Sequence, residues 1–179
     1  MNNLKFNNVK DNKDLVAEST YNCLINTFKD DELDNILVAE IDPKYMGGLE
    51  LCNHYNIPLK NGVNCLICVT TRKDEKQYVA LLVPTGYRYD MSKTVRKYVN
   101  ARMVSVAPLE YVLEKTKMEY GSINPIGLPE NWKIFIDPKV LEVETIICGS
   151  GLQKSKLSLP SKYLLKFNNV EVLPNIAKE

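Results

Sequence analysis

The stretch Val63-Asn64-Cys65-Leu66-Ile67-Cys68-Val69-Thr70-Thr71-Arg72-Lys73-Asp74-Glu75-Lys76-Gln77-Tyr78-Val79-Ala80-Leu81-Leu82-Val83 holds two apolar runs rich in β-formers around a charged middle. Val63 to Thr70 and Tyr78 to Val83 are expected as strands, and Arg72 to Lys76 as the polar connection of a hairpin. Strands and helices alternate irregularly around this hairpin. That pattern predicts an α/β protein of the α+β type, a mixed sheet flanked by helices rather than a regular doubly wound fold.

Toward the N-terminus, Ala17, Tyr21, Leu24, Ile25 and Phe28 recur at helical spacing. Asp30, Asp31, Glu32 and Asp34 then form an acidic connection to a strand at Ile36–Ile41. Asp42-Pro43 is a helix start, a capping carboxylate before a proline whose missing N–H is harmless there, and the helix should reach Tyr55. Its Gly47-Gly48 pair costs about 1 kcal/mol per glycine against alanine, so something is expected to approach closely. Toward the C-terminus the pattern predicts a helix over 92–99, a strand over 103–106 and a helix around Leu109 to Leu113. Strands over 132–136 and 143–148, a turn capped by Ser161 and a strand over 170–172 complete it. Residues 1–12, rich in Asn and Lys, are expected to be a flexible tail, and residues 13–179 a single domain with no internal repeat.

The 179 residues suit one domain with a substantial core, and 45% apolar with 25% charged residues is ordinary for a globular protein. No run approaches the roughly 18 apolar residues of a spanning helix, and the first residues lack a secretory apolar stretch, so a cytoplasmic protein with no membrane partner is expected. A formal charge of +1 exerts no global pull on nucleic acid, leaving any RNA contact to a local basic patch. Five cysteines are an odd number and suggest no disulfide scaffold. Cys65-Leu66-Ile67-Cys68, with Cys52 and His54 upstream, can be drawn as a zinc set. Residues three apart in a continuous strand face opposite ways, however, so no metal site is expected. The thiols read as small core residues and His54 as structural.

Lys117 to Glu130 has neither helical nor strand period, yet carries Gly121, Pro125, Gly127 and Pro129. Structureless stretches of that length in compact domains are often functional. Permissive glycines around a rigid proline can turn several backbone N–H groups toward one point, which suits an oxyanion or a phosphate. The same composition also suits a rigid turn crossing a sheet edge.

Tyr120-Gly121-Ser122-Ile123-Asn124-Pro125-Ile126-Gly127 resembles the G-x-x-x-P-x-G loop of the YbaK/prolyl-tRNA-synthetase-associated family of aminoacyl-tRNA editing domains. Phe135-Ile136-Asp137, Gly149-Ser150-Gly151 and Lys156-Leu157-Ser158-Leu159-Pro160 follow in the family's order, and 38–42 and 63–68 are similar to its first strands. The resemblance runs from about Asp34 to the C-terminus and implies a partly barrel-like sheet. It also implies hydrolysis, in trans, of the ester joining a wrong amino acid to the terminal ribose of tRNA, with no cofactor. On that basis Gly121, Ser122, Gly127 and Asp137 are the expected catalytic positions. Asn64, Arg88, Tyr120, Asn124, Pro125, Ile126, Gly149, Ser150, Gly151 and Lys154 would bind substrate. Family mechanisms lean on a ribose hydroxyl and a positioned water, in keeping with the lack of a Ser-His-Asp or Cys-His arrangement here.

The chain departs from the family at Asn64, which stands where many members carry a lysine, so either another cation substitutes, with Arg88 and Lys154 the candidates, or the site does different work. Asp137-Pro138 reads equally as a capping pair ending a strand, and Gly149 to Gly151 as a tight turn between two strands, which only the resemblance makes a pocket wall. Arg88, Lys93, Arg96, Lys97 and Arg102 form one basic group, and Lys154, Lys156, Lys162 and Lys166 a second; both could neutralise phosphates of a tRNA acceptor end. Tyr120 could stack on the terminal base. A partner synthetase is compatible with this picture. The competing picture is a non-catalytic pocket holding a tRNA end, a nucleotide or a small metabolite, and a third is a loop that serves packing alone.

Overall fold

The computed structural model describes residues 3–179; Met1 and Asn2, the first two residues of the expected tail, lie outside the described residues. In chain order the elements are β1 (Asn7–Asn8), α1 (Glu18–Thr27), α2 (Asp30–Leu33), β2 (Leu37–Glu40), α3 (Gly48–Tyr55), β3 (Val63–Arg72), β4 (Glu75–Pro84) and β5 (Arg88–Tyr89). They continue with α4 (Arg96–Tyr98), β6 (Met103–Val106), α5 (Leu109–Thr116), β7 (Lys133–Ile136), β8 (Thr145–Gly149), β9 (Ser155–Pro160), β10 (Val170–Val172) and β11 (Ala177–Lys178). Five strands form a mixed sheet in the order β10-β7-β4-β3-β6, four form a second in the order β1-β2-β9-β8, and β11 pairs with β5. The sheets are flanked by helices and do not close into a barrel.

The β3–β4 hairpin is the spine of the larger sheet, with Cys65 opposite Leu82 and Arg72 opposite Glu75. Its connection is tighter than expected, only Lys73-Asp74, with Lys73 at φ 54°. Polar residues such as Thr71, Lys76 and Gln77 extend the ladder, because strand pairing rests on backbone groups and does not need apolar side chains. Along β4, Val79, Leu81 and Val83 enter one core cluster while Ala80 and Leu82 enter another. That period of two buries both faces of the sheet.

Two expectations need correction. Residues 7–12 are not a loose tail: Asn7 and Asn8 pair antiparallel with Val38 and Leu37, and Val9 is buried in the core. The polar composition misleads because backbone pairing and one apolar side chain fasten the segment. The helix expected from Asp42 to Tyr55 is also broken. Asp42 caps a single turn at Pro43–Tyr45, accepting from the Lys44 N–H at 3.0 Å. The chain then extends at Gly47 before α3 begins at Gly48.

Candidate functional site

A cleft of about 360 Å³ opens where the two large sheets meet. The first half of β3 forms one wall with Asn64 and Cys65, and the start of α3 adds Gly48 and Leu51. Tyr120, Gly121 and Ile123 close another side, and Cys148 and Lys156 of the smaller sheet stand at the inner end. Depth follows from exposure: Tyr120 and Val106 at the mouth are 58% and 56% exposed, whereas Lys156 is 5% exposed.

Two close approaches shape the walls. A Cβ on Gly48 would overlap the Asn64 carboxamide, so the glycine lets α3 sit directly against that side chain, the close approach expected of the Gly47-Gly48 pair. Gly121 lies at φ +78°, and a Cβ there would come within 2.9 Å of the Met46 sulfur. The turn that presents Gly121 is closed by the Ser122 N–H donating to the Glu119 carbonyl at 3.1 Å. Gly121's own N–H has no acceptor among the described residues.

The second half of the glycine–proline loop does not face the cleft. Asn124 is fully buried; its carboxamide accepts from the Ile126 N–H at 2.7 Å and donates to Thr20 Oγ1 at 3.0 Å. Thr20 Oγ1 in turn donates to the Ile126 carbonyl at 3.0 Å. A Cβ on Gly127 would overlap the Ser19 carbonyl of α1, and Pro125 and Gly127 border a separate depression with Cys23 and Phe167. The expected convergence of amides around Pro125 is thus corrected. The Ile126 N–H and carbonyl instead brace the loop against α1 through the Asn124 and Thr20 side chains. Ser122 is also buried and turned away from the cleft, its Oγ without a partner among the described residues.

Gly149-Ser150-Gly151 supports the site from behind. A Cβ on Gly149 would overlap the Ser122 carbonyl, and the Gly151 N–H donates to that carbonyl at 2.8 Å. Ser150 Oγ bonds to Ser155 Oγ at 2.8 Å and accepts from the Leu152 N–H at 3.1 Å. Of the three, only Gly149 borders the cleft.

Asp137, Arg88 and Lys154 lie outside the cleft. Asp137 accepts from the Lys139 N–H at 3.0 Å and from the Ala177 N–H at 2.8 Å, so it caps a turn and fastens β11. Arg88 Nη2 donates to the Glu179 carbonyl at 2.6 Å, and Lys154 is exposed. Val95 and Val99 of the 88–102 basic segment pack into the core cluster that holds Val79 and Leu81, on the face of the large sheet away from Val63 and Ile67 of the cleft. Lys166 is paired with Glu32. Neither basic group forms a phosphate track into the cleft.

The cation within the cleft is Lys156, one of the second basic group of Lys154, Lys156, Lys162 and Lys166. The sequence does not set its place in the cleft apart from that of the other lysines in the group, because β9 is buried along Ser155–Leu159 on both faces and an alternating pattern would assume one wet face. Burial depresses its amine from the ordinary lysine value to about 8. Burial also pushes the thiol of Cys148 up to about 12 and that of Cys65 well above its usual range. Neither cleft thiol is a thiolate near neutrality, so neither is a nucleophile there.

Cys65 and Cys68 face different core clusters, as their spacing in β3 requires. Among the described residues no group of three or more His, Cys, Asp or Glu is placed to hold a metal. His54 stacks on the Tyr45 ring at 3.6 Å. No helix among the described residues is long and apolar enough to cross a membrane.

Comparison with known proteins gives a consistent result. The family model described as the aminoacyl-tRNA editing domain matches residues 46–167. The chain is similar to the proline–tRNA ligase of Streptococcus pneumoniae (strain 70585), 29% identical over 120 residues that make up 67% of this chain and 18% of the ligase. The ligase of strain Hungary19A-6 is 29% identical over 102 residues, 57% of this chain and 16% of the ligase. The chain thus spans less than a fifth of the length of these curated relatives. A solved structure described as a proposed trans-editing enzyme for prolyl tRNA synthetase superposes with a TM-score of 0.72 at 18% identity, covering 92% of this chain and 99% of that one. A scaffold protein from computational grafting of linear epitopes gives 0.74 at 18% identity, covering 91% and 97%. At that identity both likenesses concern the fold.

Proposed function

The chain belongs to the aminoacyl-tRNA editing domain family, whose model spans 46–167, and from that premise we propose that it hydrolyses the ester of a mischarged aminoacyl-tRNA in trans. The observation that carries this is Gly121, which borders the cleft in a positive-φ turn and whose N–H has no acceptor among the described residues. The acyl group enters the cleft and the terminal adenosine stays at the mouth beside Tyr120. As water attacks the acyl carbon, negative charge builds on the carbonyl oxygen, and a donor already in place stabilises it without reorganising. The tetrahedral intermediate then collapses, the ribose oxygen leaves with a proton, and the free amino acid departs. Water supplies the nucleophile, activated by the ribose hydroxyl of the substrate as the family resemblance implies.

Asn64 serves as a neutral donor and acceptor for the ribose, fixed by its contact with Gly48. Gly149 to Gly151 keep the Gly121 turn in register. Acceptor-end RNA is the macromolecular partner, and the likeness to synthetase segments makes a prolyl-tRNA synthetase a candidate neighbour.

The test is deacylation of a panel of mischarged tRNAs. At least one is expected to be hydrolysed, and Gly121→Ala should lower its rate by about tenfold or more, less than the roughly hundredfold loss on removing an oxyanion donor because alanine keeps the N–H and only displaces it. Absence of hydrolysis across the panel at high protein concentration would overturn the proposal. If Asn64→Lys then created activity in that inert protein, a binding pocket without catalysis would take its place.

A further inference from the structure

Lys156 is an expensive residue to keep at the end of an apolar cleft. It lines the cleft together with Leu51, Ile147 and Cys148, and no carboxylate or hydrogen-bond acceptor reaches its amine among the described residues. The titratable groups against it are Cys148 of β8 and Cys52 of α3, and burial raises both thiols, so neither supplies a negative charge near neutrality. A buried cation without a partner is unfavourable unless a ligand completes it.

Resting on the editing reading, we propose that Lys156 selects an acyl group whose side chain ends in a carboxylate, so that the cleft takes an acidic amino acid. The depth of the residue decides between two sources of negative charge. A phosphodiester carries chain on both sides and belongs at the mouth, where Tyr120 and Val106 are exposed. A side-chain carboxylate is terminal and reaches the closed end, where Lys156 stands 5% exposed. The apolar walls of Leu51 and Ile147 suit the methylenes that lead to it. At neutral pH the amine is mostly protonated, since its depressed value of about 8 still lies above 7. A desolvated charge pair at that depth discriminates strongly against a ligand that leaves the amine unpaired.

The experiment measures binding of amide-linked aspartyl-, glutamyl-, asparaginyl- and glutaminyl-adenosine analogues to the full chain at pH 7 by calorimetry, with adenosine monophosphate as a further arm. The aspartyl or glutamyl analogue is expected to bind about tenfold or more tightly than its amide counterpart. Lys156→Met, which keeps volume and is apolar, should remove that gap, with Lys156→Gln as a second variant. Equal binding of acids and amides, or a gap that survives both substitutions, overturns the acidic specificity and leaves the editing reading standing. Binding of adenosine monophosphate that is lost with Lys156, with no carboxylate gap, also overturns it by assigning the amine to phosphate. If none of the aminoacyl analogues binds, the acidic specificity falls together with the editing reading.

Discussion

The Lys156 amine ties stability to pH in a direction opposite to that of most charged groups. Its value of about 8 in the folded chain lies below the ordinary 10.5, so the unfolded chain holds the proton more firmly. The resulting penalty, about 3 kcal/mol at neutrality, is full below pH 8 and fades as pH rises toward 10.5. Lys156→Met should therefore stabilise the chain by about 2–3 kcal/mol at pH 7, with the gain shrinking steadily between pH 8 and 10.5. Urea unfolding at several pH values checks it; a variant less stable than the parent at pH 7 would contradict it. Asp137 presents the reverse case, a carboxylate spent on structure. Asp137→Ala leaves the buried Ala177 N–H without its partner and should cost about 1–3 kcal/mol while deacylation per folded molecule stays unchanged. A melting curve and a rate measured on the same sample test both halves. The sequence pointed to Asp137 because an aspartate ending a strand looks the same whether it caps or catalyses. It named Lys156 only among a basic group and not as a cleft residue, because burial on both faces of β9 is set by elements distant in the chain.

The strands were legible at the scale of elements, since Val63–Arg72 and Glu75–Pro84 carry continuous apolar runs rich in β-formers around a charged turn, with Val79–Pro84 buried throughout. The glycine–proline loop was legible as a functional segment but not in its division of labour. Gly121 borders the cleft, whereas Asn124 to Gly127 lock onto Ser19 and Thr20 of α1, about a hundred residues earlier. No local pattern reports that partner. The seat of α3 on β3 makes a testable statement about coupling. Gly48→Ala would drive a methyl group into the Asn64 carboxamide, and Asn64→Ala would remove the obstacle. The two substitutions should therefore be less harmful together than their separate effects imply, with a coupling of about 0.5–3 kcal/mol. A double-mutant cycle on unfolding free energy measures it, and strict additivity would contradict the packing described.

For the whole molecule, the cleft exists because a mixed five-stranded sheet and a smaller antiparallel sheet meet around one loop. The smaller sheet contributes Cys148, Gly149 and Lys156, the larger one Asn64 and Cys65, and the loop Gly121. The charge of the molecule as a whole gives no guidance, since +1 overall conceals a single cation at the inner end of the cleft. The family and the fold were readable from the order of short motifs; the grouping of side chains within the cleft depended on how the two sheets pack. The most direct test of the cleft as a hydrolytic site is a crystal structure of the chain with an amide-linked aminoacyl-adenosine analogue. The acyl carbonyl oxygen is expected at about 2.7–3.1 Å from the Gly121 nitrogen, with the adenosine at the mouth beside Tyr120. An analogue bound outside the cleft, or one whose carbonyl faces away from Gly121, would contradict it.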